Sequence, residues 1–228
     1  MTALDTPLQP SQAMMDGAFC VAVVDDDDDV RRLIVVLLKN AGYQVEDFAT
    51  PSAFLERAKQ GTPYDCVLLD EFMDEIDGLE TFSELKNLGC QFPAIMVTGG
   101  ATPDLTMKAI DLGFSYLFEK PIHGPKLIAR TERYCEEYRN SRNELVRKAI
   151  EQTKLDALSD RELQVLRLLA SGYLNKQIAS ELEVGLRTVE TYRNRVMSKI
   201  GASCFADAVA FAISVGLRKP GVRRHSAG

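Results

Sequence analysis

The sequence predicts an α/β doubly wound domain joined by a long helix to a small all-α domain. Three observations carry this. In the first half, short apolar runs alternate with segments of helical periodicity. Three of those runs are almost continuously apolar, the pattern of central parallel strands covered on both faces. After residue 124 the strand-like runs stop. A stretch without Gly or Pro follows, and then a region of helical pattern punctuated by glycine.

Taken in order, residues 1–18 contain Pro, Gln and Ser and read as a disordered lead-in. They lack the basic and apolar stretches of a secretion signal. The first strand is expected at 20–24. Val30, Leu33, Ile34, Leu37 and Leu38 then form the stripe of a helix ending at Gly42. Further strands are expected at 44–48, 66–69, 94–97 and 116–118, each followed by a helical segment. Five strands and five helices in alternation make one open parallel sheet, with its core in 19–124. The ligand site of such a sheet lies beyond the C-terminal strand ends, where strand order reverses.

Residues 125–155 are expected to extend the last helix into a linker. Leu127, Thr131, Tyr134, Tyr138, Ser141 and Leu145 give a heptad-like stripe, compatible with a solvated spacer or a coiled-coil dimer. The polar run Arg139, Asn140, Ser141, Arg142, Asn143 is the one place where such a helix could break. The last domain, 156–216, opens with Ser159 and Glu162 at capping-box spacing. Four helices are expected near 160–171, 175–182, 186–200 and 205–216, separated by Gly172, Gly185 and Gly201. Residues 217–228 read as a mobile basic tail.

The 228 residues are 46% apolar and 26% charged, an ordinary soluble balance. No apolar run reaches the roughly 20 residues of a membrane span. The net charge of −6 is unevenly spread. Residues 1–124 carry 21 acidic against 8 basic side chains, whereas 156–228 carry 7 against 11. An acidic front and a basic back suggest two modules with different partners, the basic one suited to nucleic acid. The five cysteines form no CxxC pair and read as buried thiols of a cytoplasmic protein. With only His123 and His225, a histidine metal cage or a Ser-His-Asp triad has little material.

Four features fall at C-terminal strand ends: the run Asp25, Asp26, Asp27, Asp28, Asp29; then Asp70; then Thr98; then Lys120 with Pro121. The doubly wound fold gathers them on one edge. Clustered carboxylates repel, and a divalent cation such as Mg²⁺ keeps them ionised together. A carboxylate is also a competent nucleophile toward a phosphoryl group. A lysine neutralises the phosphoryl oxygens and a threonine hydroxyl bonds one of them. Each feature alone is ordinary surface chemistry; their convergence carries the reading.

These residues resemble the receiver domain of response regulators. The matching segments are Val23, Val24, Asp25, Asp26, Asp27; Leu68, Leu69, Asp70; Asp77, Gly78; Val97, Thr98, Gly99; and Glu119, Lys120, Pro121. Intervals of 44, 28 and 22 residues separate Asp26, Asp70, Thr98 and Lys120. The resemblance implies a CheY/flavodoxin-like sheet over about 19–138, with Asp70 as phosphoacceptor. It implies Asp26 as direct Mg²⁺ ligand, Asp25 as a ligand through water, and the Phe72 backbone carbonyl as a further ligand. Thr98 is then the switch hydroxyl, and Lys120 faces the phosphoryl oxygen with a cis bond to Pro121. Three positions depart from the family pattern. Met73 and Asp74 stand where Met-Pro is common. Leu117 stands at the switch-aromatic position, so aromatic switching does not carry over. Asp27, Asp28 and Asp29 exceed what the pocket needs; they either draw in cation or start the first helix.

In the basic domain, Asn175, Lys176, Gln177, Ile178, Ala179, Ser180, Glu181 and Leu182 read as a short helix. A second helix starts near Arg187, and Ile178, Ala179, Leu182, Val189, Val196 and Ile200 supply the seam. Two short helices about a tight turn form a helix-turn-helix signature. Leu158, Ser159, Arg161, Glu162, Val165, Leu166, Gly172, Arg187, Thr188, Val189, Glu190, Val196, Met197 and Lys199 extend the likeness to the LuxR/FixJ-type domain. The whole chain is thus similar to the NarL/FixJ-type response regulators. The resemblance implies double-stranded DNA, a sensor histidine kinase and homodimerisation on activation. Glu190, Thr191 and Asn194 match major-groove-reading positions. Arg187, Arg193, Arg195 and Lys199 read as phosphate contacts, as do Asn175 and Lys176 at a helix start. Thr188 serves as a helix cap, a DNA contact or both.

Three functions use these parts. The first is phosphorylation-controlled transcription through Asp70. The second is aspartate-based phosphohydrolysis, which needs a second Asp where Phe72 stands. The third is a DNA-binding regulator whose receiver acts unphosphorylated, left open by Leu117 and Asp74.

Overall fold

A computed structural model describes residues 17–61 and 64–217. Most of the expected lead-in and of the expected basic tail lies outside the described residues. The chain divides into two compact units between Ser141 and Arg142.

In the first unit, β1 (Cys20–Val24), β2 (Gln44–Phe48), β3 (Cys66–Asp70), β4 (Ala94–Thr98) and β5 (Tyr116–Glu119) form one parallel sheet of order β2-β1-β3-β4-β5. The order reverses between β1 and β3, so the crevice predicted for a ligand opens beyond those two strand ends. Alternating residues feed two cores, which explains the unbroken apolar runs. Ala22, Val24, Val67, Leu69 and Met96 pack with Phe54, Phe82, Leu85 and Leu105. Those partners come from α2 (Pro51–Lys59), α3 (Gly78–Asn87) and α4 (Pro103–Leu112). Val21, Val23, Leu68, Ile95 and Val97 pack on the other face with Ile34, Leu38, Leu127 and Cys135, from α1 (Asp28–Asn40) and α5 (Gly124–Asp156).

Three local readings change. The apolar face of α1 is Ile34, Val35 and Leu38, and Leu33 is exposed. Arg31 shares the inner face and bonds the Asp25 carbonyl at 2.8 Å, so the contact surface rotates away from Leu33. The strands β3, β4 and β5 each run one residue further than expected, because Asp70 pairs with Val97 and Thr98 with Glu119. Asp70 and Thr98 therefore sit on the sheet, not in loops. Asp27 caps α1, its carboxylate accepting from the Asp29 and Val30 amides, with Asp28 and Asp29 in the first turn. The surplus of the acidic run thus starts the helix.

The helix α5 runs unbroken through 139–143, the single long helix expected there. Leu127, Thr131 and Cys135 on its first half are buried in the sheet's second core. That half of the heptad-like stripe is a packing face, and Leu145 further along is exposed. Of the cysteines, Cys66 and Cys135 are buried, Cys20 and Cys90 half-buried, and Cys204 exposed, so the expectation of buried thiols holds only in part.

The second unit contains α6 (Asp160–Ala170), α7 (Asn175–Glu181), α8 (Leu186–Ile200) and α9 (Phe205–Ser214). Leu166, Ala170, Val196, Ile200, Ala208 and Ala212 form one core, and Val165, Leu169, Ile178 and Val189 another. The Ser159–Glu162 capping box is present, and the Glu162 carboxylate also pairs with Lys199 at 2.6 Å. Among the described residues no single helix is long and apolar enough to cross a membrane.

One glycine is fixed by close approach. A Cβ on Gly78, at the start of α3, would lie 2.3 Å from the Asp70 carbonyl oxygen. Backbone cannot yield as a flexible side chain does, so α3 can dock under β3 only with glycine there. Gly78→Ala is expected to destabilise the first unit by about 1–3 kcal/mol. Urea denaturation of the two proteins checks this; equal midpoints would contradict it.

Candidate functional site

The strand ends bring the expected pocket together. Asp25 directly follows β1, Asp70 is the last residue of β3, and Lys120 directly follows β5. The Lys120 ammonium lies 2.6 Å from Asp70 Oδ1 and 3.3 Å from Asp25 Oδ2. Asp25 and Asp70 are buried, at 1% and 5% exposure, while Asp26 faces solvent. Carboxylate oxygens of Asp25, Asp26 and Asp70 all lie within 4.8 Å of one another. Such a hard-oxygen cluster, half sunk and half open to solvent, fits a small divalent cation that keeps some of its water. The Lys120–Pro121 bond is cis.

Backbone contacts set the orientation of each carboxylate. The Asp27 amide donates to Asp25 Oδ1 at 2.9 Å and the Phe72 amide to Asp70 Oδ2 at 3.0 Å. The second contact holds the Phe72 amide beside Asp70, and the Phe72 ring is exposed. The Asp74 amide donates to Asp26 Oδ2 at 3.1 Å, so the position where Met-Pro is common here supplies a donor that proline lacks. Asp77 caps α3 through the Glu80 amide at 2.7 Å, and Gly78 donates to the Glu71 carbonyl at 2.9 Å.

The electrostatics follow from burial and like charge. Burial, then the neighbouring Asp70, push the Asp25 carboxyl above the ordinary aspartate value, with Lys120 opposing. Burial works against the Lys120 ammonium, but its bonds to Asp70 and Asp25 hold its pKa above that of an ordinary lysine.

Thr98 is fully buried, and its hydroxyl accepts from the Gly100 amide at 3.0 Å. That hydroxyl donates to the carboxylate of Glu71, a residue absent from the sequence-based site. Glu71 is buried as well, with 8% exposure. The available signal was its place: a charged residue directly after Asp70, at the end of a strand buried throughout. Leu117, at the switch-aromatic position, is half-buried against the first core, whereas Tyr116 and Phe118 pack with the second.

In the second unit, α8 follows a turn in which Glu183 has φ of 54°. Val189, Val196 and Ile200 bury one face of α8. Arg187, Thr188, Glu190, Thr191, Asn194 and Arg195 are exposed, Arg193 half-buried. Glu190, Thr191 and Asn194 fall on one outward face by helical spacing. Lys176 is exposed and Asn175 half-buried at the start of α7. Two expectations change. The α8 N-cap is Gly185, with no side-chain cap bond, so Thr188 does not cap. Lys199 gives its ammonium to Glu162 and to the Ala157 carbonyl at 3.0 Å, so it braces the domain instead of standing free for a phosphate.

Two family models match the chain: "Response regulator receiver domain" over residues 21–132 and "Bacterial regulatory proteins, luxR family" over 156–212. The response regulator protein TodT of Pseudomonas putida is 33% identical over 196 residues, 86% of each chain. The transcriptional regulatory protein FixJ of Azorhizobium caulinodans is 35% identical over 205 residues, 86% of this chain and 93% of that protein. Among solved structures, the response regulator StyR superposes with a TM-score of 0.71 at 29% identity, covering 86% of this chain and 99% of that one.

The raised Asp25 carboxyl has a stability consequence. A raised folded pKa means the folded state binds the proton more tightly than the unfolded one. The penalty is therefore absent below the unfolded value of 3.8 and develops as pH rises through the folded value. Asp25→Asn is expected to raise the melting temperature of the chelator-treated protein at neutral pH, with the gain shrinking as pH approaches 3.8. Calorimetric melting across pH checks this; a variant less stable than wild type at neutral pH would contradict it.

Proposed function

The chain belongs to the two-component response regulators that join a receiver domain to a LuxR-type DNA-binding domain, and from that premise we propose that Asp70 takes the phosphoryl group and controls sequence-specific DNA binding by α8. The observation that supports this most directly is the Lys120 ammonium shared by two buried carboxylates on neighbouring strands. Buried titratable groups held against a specific charge partner are where functional sites concentrate.

One Asp70 carboxylate oxygen attacks the phosphorus of a phosphohistidine on a sensor kinase. The P–O bond forms as the P–N bond breaks, and the imidazole leaves, taking up a proton. Asp25, Asp26, Asp70 and the Phe72 carbonyl are the residues that would hold Mg²⁺. When bound, the ion neutralises charge on the transferring phosphoryl oxygens. Lys120 remains beside the oxygen it already holds and stabilises the acyl phosphate product. Thr98 supplies a hydroxyl to a phosphoryl oxygen, which couples the modified Asp70 to β4. The added charge shifts a two-state equilibrium toward the form that dimerises through the α4, β5 and α5 face.

The second unit reads DNA through Glu190, Thr191 and Asn194 on base edges in the major groove. Arg187, Arg193 and Arg195, with Asn175, Lys176 and Thr188, contact phosphates and set register. A homodimer presents two such helices to half-sites about one DNA turn apart. The free thiols are in keeping with a cytoplasmic setting.

The test is a DNA library titration at fixed salt, with wild type and Asp70→Asn, each with and without Mg²⁺ plus beryllofluoride. Fixed salt matters because phosphate contacts make affinity steeply salt-dependent. Tighter binding only in the wild type with beryllofluoride is expected. Equal binding in all conditions would sink the phosphorylation switch and leave a regulator that acts through protein contacts alone.

A further inference from the structure

Glu71 is a buried charge whose role the phosphoryl-transfer reading leaves unassigned. Carboxylates are rarely this buried unless paired with a cation or several donors. Here the hydrogen bond recorded for the carboxylate, among the described residues, comes from the neutral hydroxyl of Thr98. Its backbone is pinned on both sides. The Glu71 amide donates to the Val97 carbonyl at 2.8 Å, and its carbonyl accepts from Gly78 at 2.9 Å. Glu71 is therefore held against β4, facing the residue next to its own backbone partner.

The chemistry of the hydroxyl makes this contact consequential. Threonine has a single O–H proton to donate. A carboxylate and a phosphoryl oxygen are both acceptors, so they compete for that proton. The Gly100 amide occupies the hydroxyl's acceptor side and does not relieve the competition. We propose that Glu71 is a positioning residue that holds the Thr98 hydroxyl in a resting bond, so that phosphorylation of Asp70 must break this bond before Thr98 can engage the phosphoryl group. This rests on the reading of Asp70 as phosphoacceptor and describes the regulation of that same site. Glu71 acts through Thr98 and touches no reacting atom. Its effect is to lower the fraction of protein that switches at a given phosphoryl load.

The test measures the beryllofluoride midpoint of the full-length protein at saturating Mg²⁺, read by amide NMR shifts. Wild type, Glu71→Leu and Glu71→Gln are each compared with and without Thr98→Ala. Removing one hydrogen bond to a charged group is expected to lower the midpoint roughly tenfold in Glu71→Leu. Glu71→Gln keeps an acceptor but loses the charge, and a smaller shift in the same direction is expected. With Thr98→Ala present, the differences between residue-71 variants are expected to vanish. Unchanged midpoints in both variants would overturn the proposal, and so would shifts that persist without the hydroxyl. Should Glu71→Leu fail to give native spectra, Glu71→Gln decides alone by the same criteria. A wild type that ignores beryllofluoride defeats the phosphoacceptor reading and this proposal together. A wild type that responds, with residue-71 variants that match it, defeats this proposal only.

Discussion

The ammonium of Lys120 stands between Asp70 and Asp25, and the crevice around it depends on that placement. Two carboxylates buried at adjacent strand ends repel each other and lose hydration. A cation between them offsets both costs, and it must come from a third strand, β5, at the far edge of the sheet. The strand order supplies it: β1 and β3 are neighbours at the reversal, and β5 lies two strands away, within reach of a lysine side chain. The chain directly after β1 and β3 aims the Asp27 and Phe72 amides at these carboxylates. The site is a consequence of the topology as much as of its residues.

A second, smaller case of the same principle occurs in the helical unit. Glu162 is almost fully buried, and it is satisfied by the Ser159 amide and the Lys199 ammonium. Its carboxyl lies below the ordinary glutamate value, first because of the bond from Lys199 and then because of Ser159. In both units a buried acid is stabilised by a lysine from a distant segment. In the receiver that pair lines an open crevice, whereas here it ties the start of α6 to the end of α8. Location in the fold, not the type of pair, separates a reactive group from a brace.

Much of the fold was legible because continuous apolar runs and glycine punctuation reflect burial directly. The pocket residues Asp25, Asp26, Asp70, Thr98 and Lys120 were legible because each ends or follows a strand. Other features were decided by tertiary packing that spacing does not encode. Leu33 fits a helical stripe as well as Val35 does, but Arg31 turns the helix so that Val35 is covered. The heptad-like stripe of α5 has the period of a coiled coil, yet Leu127 and Thr131 are taken up by the sheet. Lys199 reads as one more cation on a basic helix until Glu162, far away in sequence, is seen to claim it. Glu71 is marked in the sequence only by its place after Asp70; its partner, Thr98, comes from a different strand.

Asp70, buried at its strand end while many other acids are exposed, is the carboxylate proposed to react. Incubating the full-length protein with acetyl phosphate and Mg²⁺, trapping the acyl phosphate by borohydride reduction and mapping the product by peptide mass spectrometry tests it directly. Reduction at Asp70 alone, lost when Mg²⁺ is chelated, is the result this account requires. Modification at another carboxylate, or none under conditions where the protein is folded, would contradict it.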